Sequence, residues 1–316
     1  GEAQAPHPGG CAIGTRPVSV DLKGFQTMGA SLQKTDGNYV VQSLKLVGQR
    51  LTLDYPSHTG TENLLMAACL ASGTTIIENA SVEPEVVDLA NCLNAMGARI
   101  SGAGSGIVQV EGVSRLHGVA YYVMPDRLEG GTFALAGLIT GGAVAVRGRL
   151  AQYLGALTSK LLETGAVVKA ERDLYSVQTT RLLSAVDIRT FPYPGFPTDL
   201  QAPFATLMTQ ASGESLIHET MYDDRLAYVT ELRKMGARIR VKGQTAVVQG
   251  PTRLQGATVN ALDIRSGAAV VLAGLAAQGT TEVTDVHNID RGYESIDARL
   301  ASLGASVERL SSQDNN

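Results

Sequence analysis

Charge of one sign, cysteine and long apolar runs are all scarce in this 316-residue chain. Lys and Arg number 26 against 30 Asp and Glu, a net charge of -4. That near-balance leaves no electrostatic footprint for nucleic acid or an anionic membrane. Any anionic ligand therefore needs arginines gathered locally. The three cysteines, Cys11, Cys69 and Cys92, are odd in number and show no metal-type spacing. Cys69 and Cys92 stand in apolar helical runs (LLMAACLA, DLANCLNAMG) and are expected to be buried and inert. A reducing cytoplasm is the expected setting. The longest apolar stretch, FALAGLITGGAVAV, carries a Gly-Gly break and is too short to cross a bilayer. The first residues do not read as a secretory signal.

What the chain has is a repeat. Apolar residues make up 44% and charged residues 18%, as in a folded globular protein, and the length favours two domains. A Gly-Ala pair closes a helical segment at Gly29, Gly97, Gly165, Gly236 and Gly304, at intervals of 68, 68, 71 and 68 residues. Such regularity marks one supersecondary unit used several times. Each unit begins with a helix that is apolar nearly all round (ENLLMAACLASG, TFALAGLITGG, PFATLMTQASG, AAVVLAGLAAQG), stopped near Gly73, Gly141, Gly213 or Gly279. A β-branched strand, an amphipathic helix with the Gly-Ala mark and two short strands follow. A helix apolar on every side must be buried on every side, so the pattern predicts helices inside and sheets outside. The first mark comes so early that its unit lacks about forty residues, and the chain starts with Gly1 rather than Met. A fragment or processed chain, without the first unit and part of the second, is the expectation.

Equivalent positions can be compared across repeats. Fourteen residues before the helix-stopping glycines stand Thr59, Arg127, Asp199 and Arg265; ahead of the second helices stand Arg16, the pair Glu83 and Glu85, Arg225 and Arg291. An arginine at a helix N-terminus opposes the macrodipole, by about 0.3–1 kcal/mol, so stability does not call for it there. A bound anion reverses that sign. Asp199, in YPGFPTDLQAPF, reads either as a helix N-cap or as a general base. Ser57-His58-Thr59 reads as a cap and turn, or as donors to a phosphate. The thiol of Cys11, in PGGCAIGTRP, lies between glycines on a segment with little to pack, as suits a loop that closes over a ligand.

These residues resemble the UDP-N-acetylglucosamine 1-carboxyvinyltransferases, a family of enolpyruvyl transferases. The likeness rests on PGGCAIGTRPV, PSHTGTENLLMAA, ENASVEPEVVDLAN, MPDRLEGGTF, FPTDLQAPF, ETMYDDR, ALDIRSGAAVVLAG and NIDRGYESID, which run from Pro8 to Asp297. It implies an α/β fold of two inside-out α/β barrel domains with the active site in the cleft between them. Residues 1–124 correspond to the remainder of the first domain, with its catalytic loop, and residues 125–316 to the second domain of three repeats. It implies transfer of the enolpyruvyl group of phosphoenolpyruvate to the 3′-hydroxyl of UDP-N-acetylglucosamine, with release of phosphate, in the cytoplasm of a bacterium. This is the step that starts peptidoglycan synthesis. No metal or organic cofactor is implied, nor any nucleic-acid or membrane partner, and a monomer is expected. By motif, Cys11 matches the proton-donating thiol alkylated by fosfomycin, and Asp199 matches the base for the 3′-hydroxyl. Asp263 falls at a catalytic acidic position. Arg16, Arg265 and Arg291 match groups around phosphoenolpyruvate, with Arg225 nearby. The uridine nucleotide is matched by Arg16, Pro17, Val18, Ser19 and Val20, by Tyr55, Pro56, Ser57 and His58, and by Met221. Arginine forks suit both the phosphate and the carboxylate of phosphoenolpyruvate.

Two departures stand out. Ser19 occupies a position where the family carries Asp, so one uridine contact is weakened or replaced. The family's Lys-Asn pair and a further substrate-binding arginine fall before Gly1, so the chain as it stands is expected to turn over poorly or not at all. Two other readings stay open: a non-catalytic nucleotide-sugar-binding fragment of the same family, and a shikimate-pathway-type enolpyruvyl transferase.

Overall fold

The structure is a computed structural model that describes residues 1–6, 18–35 and 37–310. Its contacts divide the chain into two compact units. The first takes in the described residues up to Met124 together with Pro192–Pro194, and the second takes in Pro125–Phe191 and the chain from Gly195 onward.

In the first unit, β1 (Glu2–Pro6), α1 (Ser19–Thr27), β2 (Ser31–Thr35) and β3 (Asn38–Gln42) precede a complete repeat. That repeat runs β4 (Arg50–Thr52), α2 (His58–Ala68), β5 (Thr74–Glu78), α3 (Pro84–Ala95), β6 (Arg99–Ser101) and β7 (Ile107–Glu111). The sheets have the orders β1-β3-β2 and β4-β5-β7-β6. β4 and β5 pair in parallel, which requires a crossover, and α2 supplies it. Strand side chains alternate between faces: Val108 and Val110 of β7 are fully buried, while Ile107, Gln109 and Glu111 are exposed. Leu64, Leu65, Ala68 and Cys69 carry the buried face of α2 into the core.

The second unit repeats the plan. Its first repeat is α4 (Arg127–Ile139), β8 (Ala143–Arg147), α5 (Gly155–Glu163), β9 (Val167–Ala170) and β10 (Leu174–Gln178). Next come β11 (Ile188–Arg189), a 3-10 turn (Thr198–Leu200), α6 (Gln201–Met208), β12 (Gly213–His218), α7 (Tyr228–Lys234), β13 (Arg238–Lys242) and β14 (Thr245–Gly250). The last is β15 (Thr258–Asn260), α8 (Ile264–Ala276), β16 (Glu282–Thr284), α9 (His287–Asp290) and α10 (Ile296–Ser302). Every residue of α6 is buried, as is α4 from Gly130 to Ile139. α4, α6 and α8 pack against one another, with the sheets β8-β10-β9, β11-β12-β14-β13 and β15-β16 outside them. This is the inside-out α/β arrangement, helices within and sheets without. One detail differs from the repeat pattern: residues 305–310 form no strand, and among the described residues β16 pairs only with β15.

The Gly-Ala marks have one physical cause. Gly29, Gly97, Gly165, Gly236 and Gly304 all take φ between 86° and 97°, the left-handed region. At each, the glycine N–H donates to the carbonyl three residues back and the alanine N–H to the carbonyl five back, as in Gly236 to Arg233 and Ala237 to Leu232, both 3.0 Å. That is a Schellman helix stop, and it satisfies carbonyls that the helix end leaves open. Gly141 ends α4 in the same way. Gly73 and Gly213 instead stand at the entry to the following strand, because α2 and α6 end several residues earlier.

Candidate active site

The N-terminal ends of the three buried helices in the second unit carry charged residues. Two are capped by aspartates. Asp126 caps α4, accepting the N–H groups of Leu128 (2.8 Å) and Glu129 (2.9 Å). Asp263 caps α8, accepting from Arg265 (2.8 Å) and Ser266 (3.2 Å), and it also takes the Ser266 hydroxyl. Caps of this kind satisfy two of the open donors at a helix start. Asp199 does something else. Neither the 3-10 turn nor α6 has a side-chain cap, so the N-cap reading of Asp199 does not hold.

The Asp199 carboxylate lies between two guanidinium groups. Oδ1 meets Arg225 Nη2 at 2.5 Å; Oδ2 meets Arg265 Nη2 at 3.0 Å and Nε at 3.1 Å. The Arg225 side chain is 4% exposed and that of Asp199 32%, so the carboxylate is the more reachable member of the pair. Arg225 Nη1 also stands 3.9 Å from Asp263. Burial pushes the Asp199 carboxyl up, but Arg265, then Arg225 and Arg127, pull harder and hold it below the usual carboxylate range. The group is thus an anion at neutral pH. Burial works against the charge on Arg265, and Asp199 more than restores it, so its affinity for the proton rises.

Two more side chains steady this cluster. The Arg265 guanidinium lies over the Tyr293 ring at 5.3 Å, and that of Arg225 over Tyr222 at 5.8 Å. Tyr293 is buried, and its hydroxyl meets Thr132 on α4 at 2.9 Å. Burial raises the Tyr293 phenol above its ordinary pKa. Arg225 Nε and Arg265 Nη1 are buried without a hydrogen-bond partner among the described residues. Sequence reasoning missed Tyr293, although it lies in NIDRGYESID, because its partner is 161 residues away.

The other expected site residues are more scattered. Met221 is 37% exposed in the turn after β12. Arg291 is exposed and forms the C-cap of α9, two residues before Tyr293. In the first unit, Val18 is the N-cap of α1, Ser19 is its exposed first residue, and Val20 is buried in the core. The Val20 side chain is thus committed to packing. Tyr55 is exposed and Pro56 is half-buried. Ser57 caps α2 by accepting the Gly60 N–H at 3.1 Å. His58 meets Glu62 at 3.2 Å. Burial lowers the His58 pKa, but Glu62, Glu85 and Glu83 outweigh it, and the net direction is upward. Cys11, Arg16 and Pro17 lie outside the described residues. Cys69 is fully buried, and burial raises its thiol; Cys92, expected to be buried, is only half so on α3. Among the described residues no three His, Cys, Asp or Glu side chains gather as a metal site, and no helix is long and apolar enough to cross a membrane.

The sequence matches the family described as EPSP synthase (3-phosphoshikimate 1-carboxyvinyltransferase) over residues 3–300. The chain belongs to the enolpyruvyl transferase family. It is 46% identical over 309 residues to UDP-N-acetylglucosamine 1-carboxyvinyltransferase 1 of Caldanaerobacter subterraneus subsp. tengcongensis, covering 98% of this chain and 74% of that protein. Its fold is similar to that of the enolpyruvyl transferase NikO from Streptomyces tendae, with a TM-score of 0.88, 24% identity and coverage of 98% and 74%. It is also similar to EPSP synthase from Acinetobacter baumannii, with a TM-score of 0.69, 18% identity and coverage of 97% and 74%.

Proposed function

We propose that this enolpyruvyl transferase moves the enolpyruvyl group of phosphoenolpyruvate to the 3′-hydroxyl of UDP-N-acetylglucosamine and releases phosphate. The observation that carries the chemistry is a single carboxylate, Asp199, held between the buried forks of Arg225 and Arg265. The choice of acceptor rests on the activity for which the 46% identical relative is named.

The geometry suits each step. In the addition, the 3′-oxygen bonds to C2 of phosphoenolpyruvate, C3 gains a proton, and the hydroxyl proton goes to Asp199. In the elimination, C3 loses a proton, the C2–O bond to phosphate breaks, and the enol ether remains. Asp199 is ionised at neutral pH, as a base must be, yet two arginines make it a weak one. An incoming phosphate and carboxylate compete for the same guanidinium groups, of which Arg225 Nε and Arg265 Nη1 have no acceptor among the described residues. Binding of phosphoenolpyruvate therefore loosens Asp199 and makes it more basic at the moment it is needed. Fixed arginines would also stabilise charge developing during the addition.

By resemblance, Cys11 supplies the proton to C3, and Arg16 and Arg291 join the cations around phosphoenolpyruvate. Asp263, already committed to capping α8 and near Arg225, acts as an acidic group that holds Arg225 and Arg265 in place. Residues Arg16–Val20, Tyr55–His58 and Met221 hold the nucleotide sugar. We assign residues 1–124 to the domain of the catalytic loop and residues 125–316 to the domain of the arginine-held base. The product would feed peptidoglycan synthesis in a bacterial cytoplasm.

The family description favours one other reading, in which shikimate 3-phosphate is the acceptor. Phosphate release, assayed in a version extended to the length of its 46% identical relative, separates the two. We expect release from phosphoenolpyruvate with UDP-N-acetylglucosamine and none with shikimate 3-phosphate; the reverse pattern would reassign the substrate.

A further inference from the structure

The turn that bears Asp199 is held from behind by a carboxylate that the motifs do not single out. Glu219 follows β12, is 1% exposed, and receives donors from three directions. Its Oε1 accepts the Thr190 hydroxyl at 2.9 Å and the Met221 backbone N–H at 2.7 Å. Its Oε2 accepts the Thr198 hydroxyl at 2.9 Å. Thr220 closes the knot, donating its N–H to the Thr190 hydroxyl oxygen at 2.9 Å and its hydroxyl to the Thr190 carbonyl at 2.5 Å.

Burying a carboxylate is costly even when its lone pairs are met, and a well-packed apolar side chain would hold a strand end at less cost. Stability therefore does not explain Glu219. What a carboxylate can do, and an apolar residue cannot, is fix three segments by direction as well as distance. Those segments are the end of β11, the 3-10 turn in which Thr198 precedes Asp199, and the turn from Met221 to Arg225. Asp199 and its partner Arg225 thus both sit on turns anchored to the same carboxylate.

We infer that Glu219 is a positioning residue: through Thr198 it sets the turn that aims Asp199, and through the Met221 N–H it sets the turn that leads to Arg225. The inference rests on the reading of Asp199 as the base. The donor senses are largely fixed. The Met221 N–H can only donate, and the Thr190 hydroxyl oxygen already accepts from Thr220, so its proton goes to Glu219. Only the Thr198 hydroxyl is free to reverse. A glutamine with its amide NH₂ toward Thr198 can therefore keep all three bonds, whereas alanine loses them all.

Thr198→Val removes one bond while keeping shape and leaving Glu219 its other two. Two readouts are needed, hydrogen exchange in this chain and turnover in the version extended to its relative's length. The inference predicts that exchange of the amides in residues 196–202 rises by about tenfold while the strands β12, β13 and β14 keep their rates, and that Thr198→Ser restores the parent pattern. It predicts that kcat falls about tenfold with KM for the nucleotide sugar unchanged within about twofold, and that Glu219→Gln retains more turnover than Glu219→Ala. In an Asp199→Asn background, Thr198→Val should cost nothing further, since the group being aimed is gone. Unchanged exchange at 196–202 would overturn the inference. So would faster exchange with unchanged kcat, or an equal loss in both backgrounds, since either would make the knot merely structural. If Asp199→Asn alone keeps full turnover, the base reading fails, and the exchange result still decides whether Glu219 sets the turn.

Discussion

Asp199 owes its behaviour to opposed influences on one carboxyl group. Burial alone would raise its pKa, and among the groups that lower it Arg265 pulls hardest. Removing that pull with Arg265→Gln should therefore move the carboxyl upward, so that the acid limb of kcat/KM appears at higher pH than in the parent; a limb that does not move would show that Arg265 is not the dominant partner. The same depression has a sign for stability. A carboxyl whose folded pKa lies below the unfolded value, about 3.9, contributes fully above that pH and loses the contribution as pH falls through the lower folded value. Thiol chemistry offers a second test at this scale. The Cys69 thiol is buried and its pKa raised, so it should resist alkylation. Fosfomycin added with UDP-N-acetylglucosamine is expected to modify Cys11 alone, and peptide mass mapping that finds the adduct on Cys69 or the half-buried Cys92 would remove Cys11 from its proposed role. At this scale the sequence left Asp199 with two readings, cap or base. The three-dimensional partners remove the cap reading, because the N-cap positions of the 3-10 turn and of α6 are Pro197 and Leu200 and neither end has a side-chain cap. They leave the base reading as the one to test.

Among the elements, the helix stops were the most legible feature, because a Schellman motif depends on a few consecutive residues and so leaves a local mark in the chain. The buried helices were legible too, since an all-round apolar surface has no solvent face to offer. The knot around Glu219 and the Thr132–Tyr293 contact were not, because their side-chain partners are 21 to 161 residues apart and nothing local announces them. Two glycine variants test the physical account of these elements. At Gly236, φ is 88° and the nearest atom to an added methyl is the Arg253 carbonyl oxygen at 4.0 Å, so Gly236→Ala meets backbone strain but no clash. Its expected cost is about 1–2 kcal/mol, read from urea unfolding. Gly250 has an ordinary φ, but an added methyl would lie 2.2 Å from the Ala211 carbonyl oxygen and 2.6 Å from that of Met208. Gly250→Ala should therefore cost more than Gly236→Ala, since backbone cannot yield as a side-chain end can. The opposite order would contradict the physical reading of both positions.

At the scale of the whole molecule, the two units are unequally supplied with core. The buried apolar cluster of the second unit runs from Phe133 to Leu300 and is far more populous than that of the first, which runs from Val20 to Val110. Burial of apolar surface is the main force favouring folding, so the smaller core should yield first. Limited proteolysis is expected to cut the region before Pro125 while sparing the later part, and uniform resistance along the chain would show that the units unfold as one. The repeat plan was legible from the spacing of the glycines. The absence of a strand at residues 305–310 was not, because strand formation depends on a pairing partner as much as on the residues themselves. The central claim is that an arginine-held carboxylate serves as the base of an enolpyruvyl transfer. It is tested most directly by phosphate release from phosphoenolpyruvate in the version extended to its relative's length, with and without UDP-N-acetylglucosamine, for the parent and for Asp199→Asn. Release is expected to require the nucleotide sugar and to fall by about 10²-fold or more in the variant, with sugar binding kept. Equal release from parent and variant, or release that does not depend on the nucleotide sugar, would contradict the claim.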